Sequence, residues 1–400
     1  TKIFCSCTTR FGGEPNTHCC PICTGMPGTL PMVNRKVVEY ACRAGLALNC
    51  EITRRSRFDR KNYFYPDLPK AYQVSQLYLP IARNGRVSIA TAAGEKVVRI
   101  HELHMEEDAG KLIHDPWTEQ TKIDYNRCGT PLIELVTEPD LRTPEEARLF
   151  MQKLRQIYLA LGISDCSMEE GSLRCDGNVS LRRRGETKLG TKTELKNMNS
   201  FKNLHDGLAY EICRQAEVLE EGGVIYQETR HWDPSAKRTI VMRVKETADD
   251  YRLFPEPDLA PYHLSDEFVE NVRKKLPELP DQKAKRFESE FGLSAYDARH
   301  LVEHRTTANF FEACMNTEQG AQFVKPIANL IINDVAAYLN AHPEITTLDQ
   351  TALTPERAVA LVELMQKDTI SSKQGKEVFA AILDEDKDPK AIIAERGMER

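Results

Sequence analysis

The stretch that decides the fold is a strand-like run, Val97-Val98-Arg99-Ile100, leading into His104-Met105-Glu106-Glu107-Asp108-Ala109-Gly110-Lys111. Three consecutive carboxylates repel one another, so a fold that brings them near other acids needs a cation or a raised pKa there. Because neighbouring side chains of a strand point to opposite faces, only one of Glu106 and Glu107 enters a given cavity. Taken alone, the stretch fits a solvated acidic turn as well as a functional site.

Composition predicts a soluble chain with two or three domains, since the 400 residues are 41% hydrophobic and 28% charged. No apolar run reaches the roughly 18 residues that a membrane span needs, and no leader pattern stands at the start. A net charge of −6 argues against indiscriminate nucleic-acid binding, which depends on an excess of Lys and Arg. A nucleic-acid partner would therefore be met by local basic patches.

Cysteine spacing predicts a structural zinc site near the N-terminus. Seven of the 12 cysteines are scattered singly, as in a reduced cytoplasmic protein. The other five fall in the first 23 residues, where Cys5 and Cys7 form one close pair and Cys20 and Cys23 another. Two such pairs can converge on one tetrahedral ion, with no open position for catalysis. The alternative is a set of redox-active or packed thiols, with Cys19 as a spare ligand.

Two more segments carry candidate functional side chains. The range 54–67 combines Arg and Lys residues with three aromatic ones, which suits phosphate contacts and base stacking. Lys61 is its candidate phosphate clamp, although such aromatics are also typical of a core or an interface. Glu134 interrupts the apolar strand predicted over 130–136, and a lone carboxylate there is usually paired or bound to a ligand.

A series of later strands is predicted to build a surface of mixed charge. Residues 172–182 alternate between apolar and polar, which is typical of a half-buried antiparallel strand. If the following strands are its neighbours, acids for a metal ion and bases for phosphates come together, as a magnesium nucleotide requires. A wetted sheet face is the alternative. The residues of this predicted surface are Arg174, Asp176, Glu194, Lys196, Glu228 and Arg230.

Capping signals predict the main helices and the division into domains. Helices are expected over 34–48, 143–162 and 200–222, and Thr354-Pro355 is predicted to begin one of the later helices. Strand patterns end in a Pro-rich connector, after which the chain is helical and strongly charged. We therefore predict one domain over 1–264 and a helical domain over 265–400.

Five blocks together resemble the B subunit of the aspartyl/glutamyl-tRNA amidotransferases over essentially the whole chain. They are FDRKNYFYPD (58–67), HMEEDAGK (104–111), MEEGSLRCD (168–176), ELKN (194–197) and DYR (250–252). The resemblance implies an α+β fold, with an antiparallel-sheet cradle related to the glutamine synthetase catalytic fold and then an all-α domain. It also implies a Gly-Leu-Glu-x-His strand before Thr1 and a tail domain beyond Arg400.

The activity that the resemblance implies is ATP-dependent amidation of misacylated tRNA. Glu107 and Glu134 are expected as magnesium ligands, and Lys61, Arg174, Lys196 and Arg230 as contacts of ATP phosphates or of the substrate carboxylate. Asp176, Glu194 and Glu228 are expected cradle residues, and Cys5, Cys7, Cys20 and Cys23 match the family's zinc knuckle. The implied partners are an amidase A subunit, a small C subunit, misacylated tRNA and the matching aminoacyl-tRNA synthetase.

Two alternatives to this interpretation stay open at the level of sequence. One is a non-catalytic scaffold that binds tRNA, which ATPase activity dependent on misacylated tRNA would exclude. The other is the archaeal E-type relative, whose large inserted domain has no room in 400 residues. The sequence does not decide between Glu-tRNA(Gln) and Asp-tRNA(Asn) as the substrate.

Overall fold

The computed structural model describes residues 1–244 and 251–398, and the chain divides into two compact units, Thr1–Leu276 and Pro277–Arg400. Lys245 to Asp250, and with them part of the last block that carried the resemblance, lie outside the described residues. None of the helices in the described ranges is long and apolar enough to cross a membrane.

The first unit is a mixed α+β structure of short sheets with helices against them. Its helices are α1 (Arg35–Ala47), α2 (Pro144–Leu161), α3 (Phe201–Glu220) and α4 (Asp266–Lys274). Its strands are β1 (Glu51–Ile52), β2 (Arg55–Ser56), β3 (Asp59–Asn62), β4 (Tyr72–Ser75), β5 (Ala82–Thr91), β6 (Gly94–Glu107), β7 (Lys111–His114), β8 (Thr121–Asp124), β9 (Pro131–Thr137), β10 (Gly177–Val179), β11 (Thr193–Lys196), β12 (Glu228–Asp233), β13 (Arg238–Val244), β14 (Phe254–Pro255) and β15 (Tyr262–His263).

Two four-stranded sheets position the candidate site. The first has the order β1-β5-β6-β9, and the second has the order β10-β11-β12-β13. A three-stranded sheet, β14-β3-β4, brings the 58–67 block beside the segment that follows the second sheet. The long strand β6 pairs with β9 in the register His104 to Glu134, which places the acidic stretch beside the lone glutamate of the apolar strand.

The predicted helices are confirmed, because their signals are local. Asn34 caps α1, Thr143 caps α2 with Pro144 in the first turn, and Ser200 caps α3. In each helix the capping side chain accepts a hydrogen bond from a backbone N–H of the first turn, which otherwise has no partner. Gly162 ends α2 in the left-handed conformation, at φ 67°.

The strand predicted over 172–182 is wrong for most of its length, since only Gly177–Val179 forms β10. The residues before it close a turn, in which the N–H groups of Ser172 and Leu173 both donate to the carbonyl of Ser167. The expectation of purely antiparallel pairing is also corrected, because β11 and β12 are parallel. Parallel neighbours need a long crossover, which α3 supplies.

The second unit is helical. Its helices are α5 (Pro280–Phe291), α6 (Ala295–Leu301), α7 (Arg305–Met315), α8 (Val324–Leu330), α9 (Ala336–Ala341), α10 (Pro355–Gln366), α11 (Ser372–Glu385) and α12 (Pro389–Arg396). Thr354 caps α10 as predicted. The unit's core contains Phe287, Phe291 and Phe311, whose ring centroids are 5.0 to 5.8 Å apart.

The break between the units falls after the boundary predicted at residue 264. Helix α4 belongs to the first unit because it packs against α1, and Arg54 donates to Asp266 at 2.7 Å. The mixed α+β class with a helical C-terminal part is confirmed. The relation to the glutamine synthetase fold stays a prediction.

Candidate active site

The four cysteines that the sequence pairs form one cluster, in which the sulfur atoms lie within 4.8 Å of one another. Two tight turns position them, with the Cys20 N–H donating to the sulfur of Cys23 at 3.2 Å. Four sulfurs bound to zinc at about 2.3 Å would lie roughly 3.8 Å apart, so the donor set fits this ion. Cys19 is not in the cluster and donates its thiol to the Asn16 carbonyl.

The thiols of this cluster share protons. A hydrogen bond from Cys5 is the main reason why the pKa of Cys23 falls to about 4. Burial and a hydrogen bond to Cys20 raise the pKa of Cys7 to about 11. One sulfur is therefore a thiolate before any cation arrives, and thiolate is the form that binds metals.

A second cluster stands at the end of β6, where His104 and Glu106 point to the same face as Glu134 on β9. Nε2 of His104 lies 3.5 Å from a Glu106 oxygen and 3.6 Å from a Glu134 oxygen, and its Nδ1 lies 3.2 Å from Glu102. Burial disfavours a charged imidazole, but hydrogen bonds to these carboxylates raise the pKa of His104 to about 11. The hydrogen bond with His104 lowers the pKa of Glu134. The protonated imidazole thus holds the acids together.

Glu107 does not join this cluster, which corrects the expectation that it converges with Glu134. Strand alternation sends Glu107 to the opposite face, where its carboxylate pairs with Lys70 at 2.5 Å and accepts the Val74 N–H at 3.0 Å. Its side chain is nearly fully buried, and burial raises the pKa of its carboxyl while Lys70 opposes that rise. Glu107 lines a cleft together with Lys70, Tyr72, Cys23 and Glu256.

Lys61 lies on β3 near the second cluster. Its Nζ stands 4.5 Å from the ring centroid of Tyr251 and 5.7 Å from that of Tyr63. Its positive charge contributes to the lowered pKa of Glu134, which shows that the two side chains are close. Burial raises the pKa of Tyr63 to about 12, and Glu106 adds to that rise. A cation and two aromatic rings therefore border the acidic cluster.

Arg174 reaches the acidic stretch from the turn before β10. Its Nη2 donates to Asp108 Oδ2 at 2.5 Å, and Arg127 Nε lies 3.4 Å from the same oxygen. Asp108 is buried, whereas the Arg174 side chain is 47% exposed. The guanidinium thus keeps part of its donor set open to solvent beside the stretch that carries Glu106 and Glu107.

The second sheet divides the remaining predicted residues. On one face Lys196 pairs with Asp176 at 2.9 Å, and Glu194 accepts the Thr229 hydroxyl at 3.1 Å. Arg230 instead donates to Thr239 and lies 3.7 Å from Glu211 on α3. The expected single surface is therefore wrong for Arg230, because this side chain turns under α3.

Glu228 follows Arg230 rather than the open face. Its carboxylate accepts from Arg230 Nη1 at 2.7 Å, and both side chains are about nine-tenths buried. A register shift of the β12–β13 pair falls between Thr229 and Arg230, so simple alternation does not assign the faces of neighbouring residues here. The predicted cradle role of Glu228 therefore stays a prediction with a structural contact beside it.

Several site residues were missed by sequence reasoning. The signal for His104 and Glu106 was present, because alternation along β6 puts both on the face of the residue paired with His104. Lys70 and Glu211 gave no local signal, since their partners lie 37 residues away or on another element. Only the folded chain brings these charges together.

Comparisons with known proteins define the class to which the fold and site belong. The family model described as the GatB/GatE catalytic domain matches residues 1–270, and the one described as the GatB domain matches residues 309–400. The chain therefore belongs to the GatB/GatE family. The resemblance inferred from the sequence blocks is confirmed.

Similar proteins are named as the B subunit of aspartyl/glutamyl-tRNA(Asn/Gln) amidotransferase. The relative from Caldicellulosiruptor saccharolyticus is 51% identical over 399 residues, which cover 100% of this chain and 82% of the relative. The relative from Carboxydothermus hydrogenoformans is 52% identical over 401 residues, and that from Brevibacillus brevis is 50% identical over 398 residues, each covering 100% of this chain and 82% of the relative.

Proposed function

We propose that the chain is the transamidating subunit of a tRNA-dependent amidotransferase. It uses ATP to phosphorylate the side-chain carboxylate of Glu-tRNA(Gln), Asp-tRNA(Asn) or both, and ammonia then displaces the phosphate to give Gln-tRNA(Gln) or Asn-tRNA(Asn). The observation that carries the proposal is the cluster of His104, Glu106 and Glu134 beside Lys61, in a chain about half identical to proteins named for this activity.

Activation is required because a carboxylate has no leaving group that ammonia can expel. A carboxylate oxygen of the substrate attacks the γ-phosphorus, the bond to the bridging oxygen breaks, and ADP leaves. Ammonia then attacks the acyl carbon, the acyl–phosphate bond breaks, and the nitrogen loses a proton. Phosphoryl transfer is mostly positioning and charge neutralisation, which suits a site of paired acids and bases.

The carboxylates of Glu106 and Glu134 fit magnesium, which binds oxygen ligands. When bound there, the ion would supply charge neutralisation to the phosphates. Lys61 and Arg174 would bind phosphate or carboxylate oxygens, since both are cations beside the acidic stretch. Lys196 and the acids Asp176 and Glu194 are proposed to contact the nucleotide from the second sheet. We assign Glu107 to the cleft with Lys70 and not to the same ion.

The proposed assembly follows from the division of labour in the named relatives. The chain would act in the cytoplasm with an amidase A subunit that releases ammonia and a small C subunit. The matching aminoacyl-tRNA synthetase would deliver the misacylated tRNA.

Free ammonium is expected to replace the partner that produces ammonia. We expect the isolated chain to lack glutaminase activity, because its sequence shows no amidase or Cys–His block. With ATP, magnesium and Glu-tRNA(Gln), ammonium should support formation of Gln-tRNA(Gln), measured by digestion of the tRNA and separation of the esterified amino acids. The same assay with Asp-tRNA(Asn) identifies the substrate.

The control for this assay is the complex with the amidase subunit, which should use glutamine in place of ammonium. Glutaminase activity of the purified chain alone would contradict the proposal. ATP that remains unconsumed in the complete reaction, with tRNA still bound, would favour the scaffold alternative instead.

Removal of two ligands is expected to remove zinc from the N-terminal cluster. The double variant Cys20→Ser/Cys23→Ser should bind no stoichiometric zinc, and its N-terminal segment should become sensitive to protease, since structural zinc contributes on the order of 10 kcal/mol to local folding. Metal analysis of the purified full chain is the measurement.

The matched control is Cys19→Ser/Cys213→Ser, which removes two thiols outside the cluster. It should retain zinc. Zinc that stays undiminished in Cys20→Ser/Cys23→Ser would exclude the assigned ligand set.

A further inference from the structure

Lys2 is fully buried beside the cysteine cluster, with 0% of its surface exposed. Its Nζ donates to the carbonyl of His18 at 2.7 Å and lies 3.4 Å from the sulfur of Cys23. Its stem packs near Gly129, at which an added Cβ would stand 3.6 Å from Lys2 Cδ. The ammonium is therefore directed at one of the proposed metal ligands.

Burying an ammonium group is costly unless an anion compensates it. Among the ion pairs of residues 1–244 and 251–398, none joins Lys2 to a carboxylate. The neighbouring group that can carry negative charge is the Cys23 sulfur, which the ammonium reaches within hydrogen-bonding distance. The position of Lys2 is thus explained by a thiolate and not by an acidic side chain.

Charge balance makes such a cation useful. Four thiolates around a zinc ion leave two excess negative charges in a partly buried shell. A hydrogen bond from an ammonium to one sulfur offsets part of that excess, and residues that contact metal ligands tune affinity in this way.

We propose that Lys2 is a positioning residue of the zinc site, whose ammonium donates to the Cys23 thiolate and thereby strengthens metal binding. This inference rests on the zinc site proposed above. It adds a residue that has no metal-binding signature in the sequence, since a lysine three residues before Cys5 would pass as an ordinary surface cation.

The backbone around Lys2 ties the cluster to the acidic stretch. The Lys2 N–H donates to the Cys7 carbonyl at 3.0 Å, and the next residue, Ile3, donates to the Gly129 carbonyl at 3.0 Å. Gly129 in turn donates to the Asp108 carbonyl at 2.9 Å. Metal binding that orders Lys2 therefore also supports the turn from which β9 begins.

The test compares zinc affinity of the full chain and of Lys2→Met, Lys2→Arg and Lys36→Met, by competition with a chromophoric chelator. Lys2→Met keeps the apolar stem and removes the charge, so we expect its zinc affinity to fall roughly 10- to 100-fold. Lys2→Arg should lose much less. Lys36→Met removes an exposed cation outside the cluster and should bind as the unchanged chain does.

Folding is controlled by circular dichroism at saturating zinc, where Lys2→Met should match the unchanged chain; if it does not fold, Lys2→Gln takes its place in the same comparison. Equal affinity of the neutral variant and the unchanged chain overturns the inference, as does an equal loss in Lys2→Arg, which would indicate packing alone. An unchanged chain that binds no zinc overturns the zinc site as well as the role of Lys2.

Discussion

Glu134→Gln is expected to lower ATP-dependent amidation by the three-subunit complex by about 100-fold or more. The change keeps the shape of the side chain and removes the charge that faces His104 and Glu106. Electrostatic groups aimed at a reacting phosphate are typically worth two to three orders of magnitude each. The measurement is the rate of Gln-tRNA(Gln) or Asn-tRNA(Asn) formation at saturating ammonium, so that ammonia delivery does not limit it.

Binding of tRNA should survive in Glu134→Gln, because tRNA contacts depend on basic side chains. Glu95→Gln is the matched control, since Glu95 is an exposed acid on the same pair of strands. Wild-type turnover in Glu134→Gln would refute the proposed role. So would a loss of activity that only follows a loss of tRNA affinity.

Glu107→Gln serves as the comparison that separates the two acids. The dependence of the rate on magnesium concentration should shift in Glu134→Gln but not in Glu107→Gln, because Glu107 points to the other face and pairs with Lys70. A shift of the magnesium dependence in Glu107→Gln would restore the ligand role that the family resemblance implied.

The difference between Glu106 and Glu107 shows where the sequence was sufficient and how it was misread. Period-two alternation already places His104 and Glu106 on one face of β6. Which face meets Glu134 follows from the register with β9, and the pairing of His104 with Glu134 is a property of the folded sheet. The family blocks drew attention to the correct strand but to its other face.

Helices were predictable to within a residue or two because their ends depend on side chains next to them in sequence. Thr143 and Gly162 begin and end α2 through contacts of one helical turn. The strand predicted over 172–182 failed for the opposite reason. Alternation predicts a face, but a strand also needs a neighbour at the correct register, and the turn at Ser167 withholds it.

Arg230 was misassigned because its strand was considered for its charges alone. Trp232 shares the strand and packs under α3, 3.4 Å from the position of a Cβ added at Gly207. A large aromatic residue two positions along a strand marks the face that is covered. Arg230 lies on that covered side and meets the fully buried Glu211.

Breaking this buried pair is expected to produce the largest loss of stability in the first unit. Glu211→Met leaves Arg230 without its anion under α3, and Arg230→Met leaves Glu211 short of one cation. Each single change should lower the free energy of unfolding by about 3 to 5 kcal/mol, the usual cost of an uncompensated buried charge. Arg214, the other partner of Glu211, is 19% exposed and retains access to water.

The double variant Glu211→Met/Arg230→Met decides between a structural and a catalytic Arg230. It should be more stable than either single variant, since no buried charge is left alone, and it should amidate at the wild-type rate per folded molecule. Trp232 is buried and the only other tryptophan, Trp117, is 92% exposed, so urea unfolding followed by fluorescence in a Trp117→Phe background reports on this sheet. A double variant that is stable but inactive would return Arg230 to the catalytic set, because the lost activity could not then be assigned to lost folding.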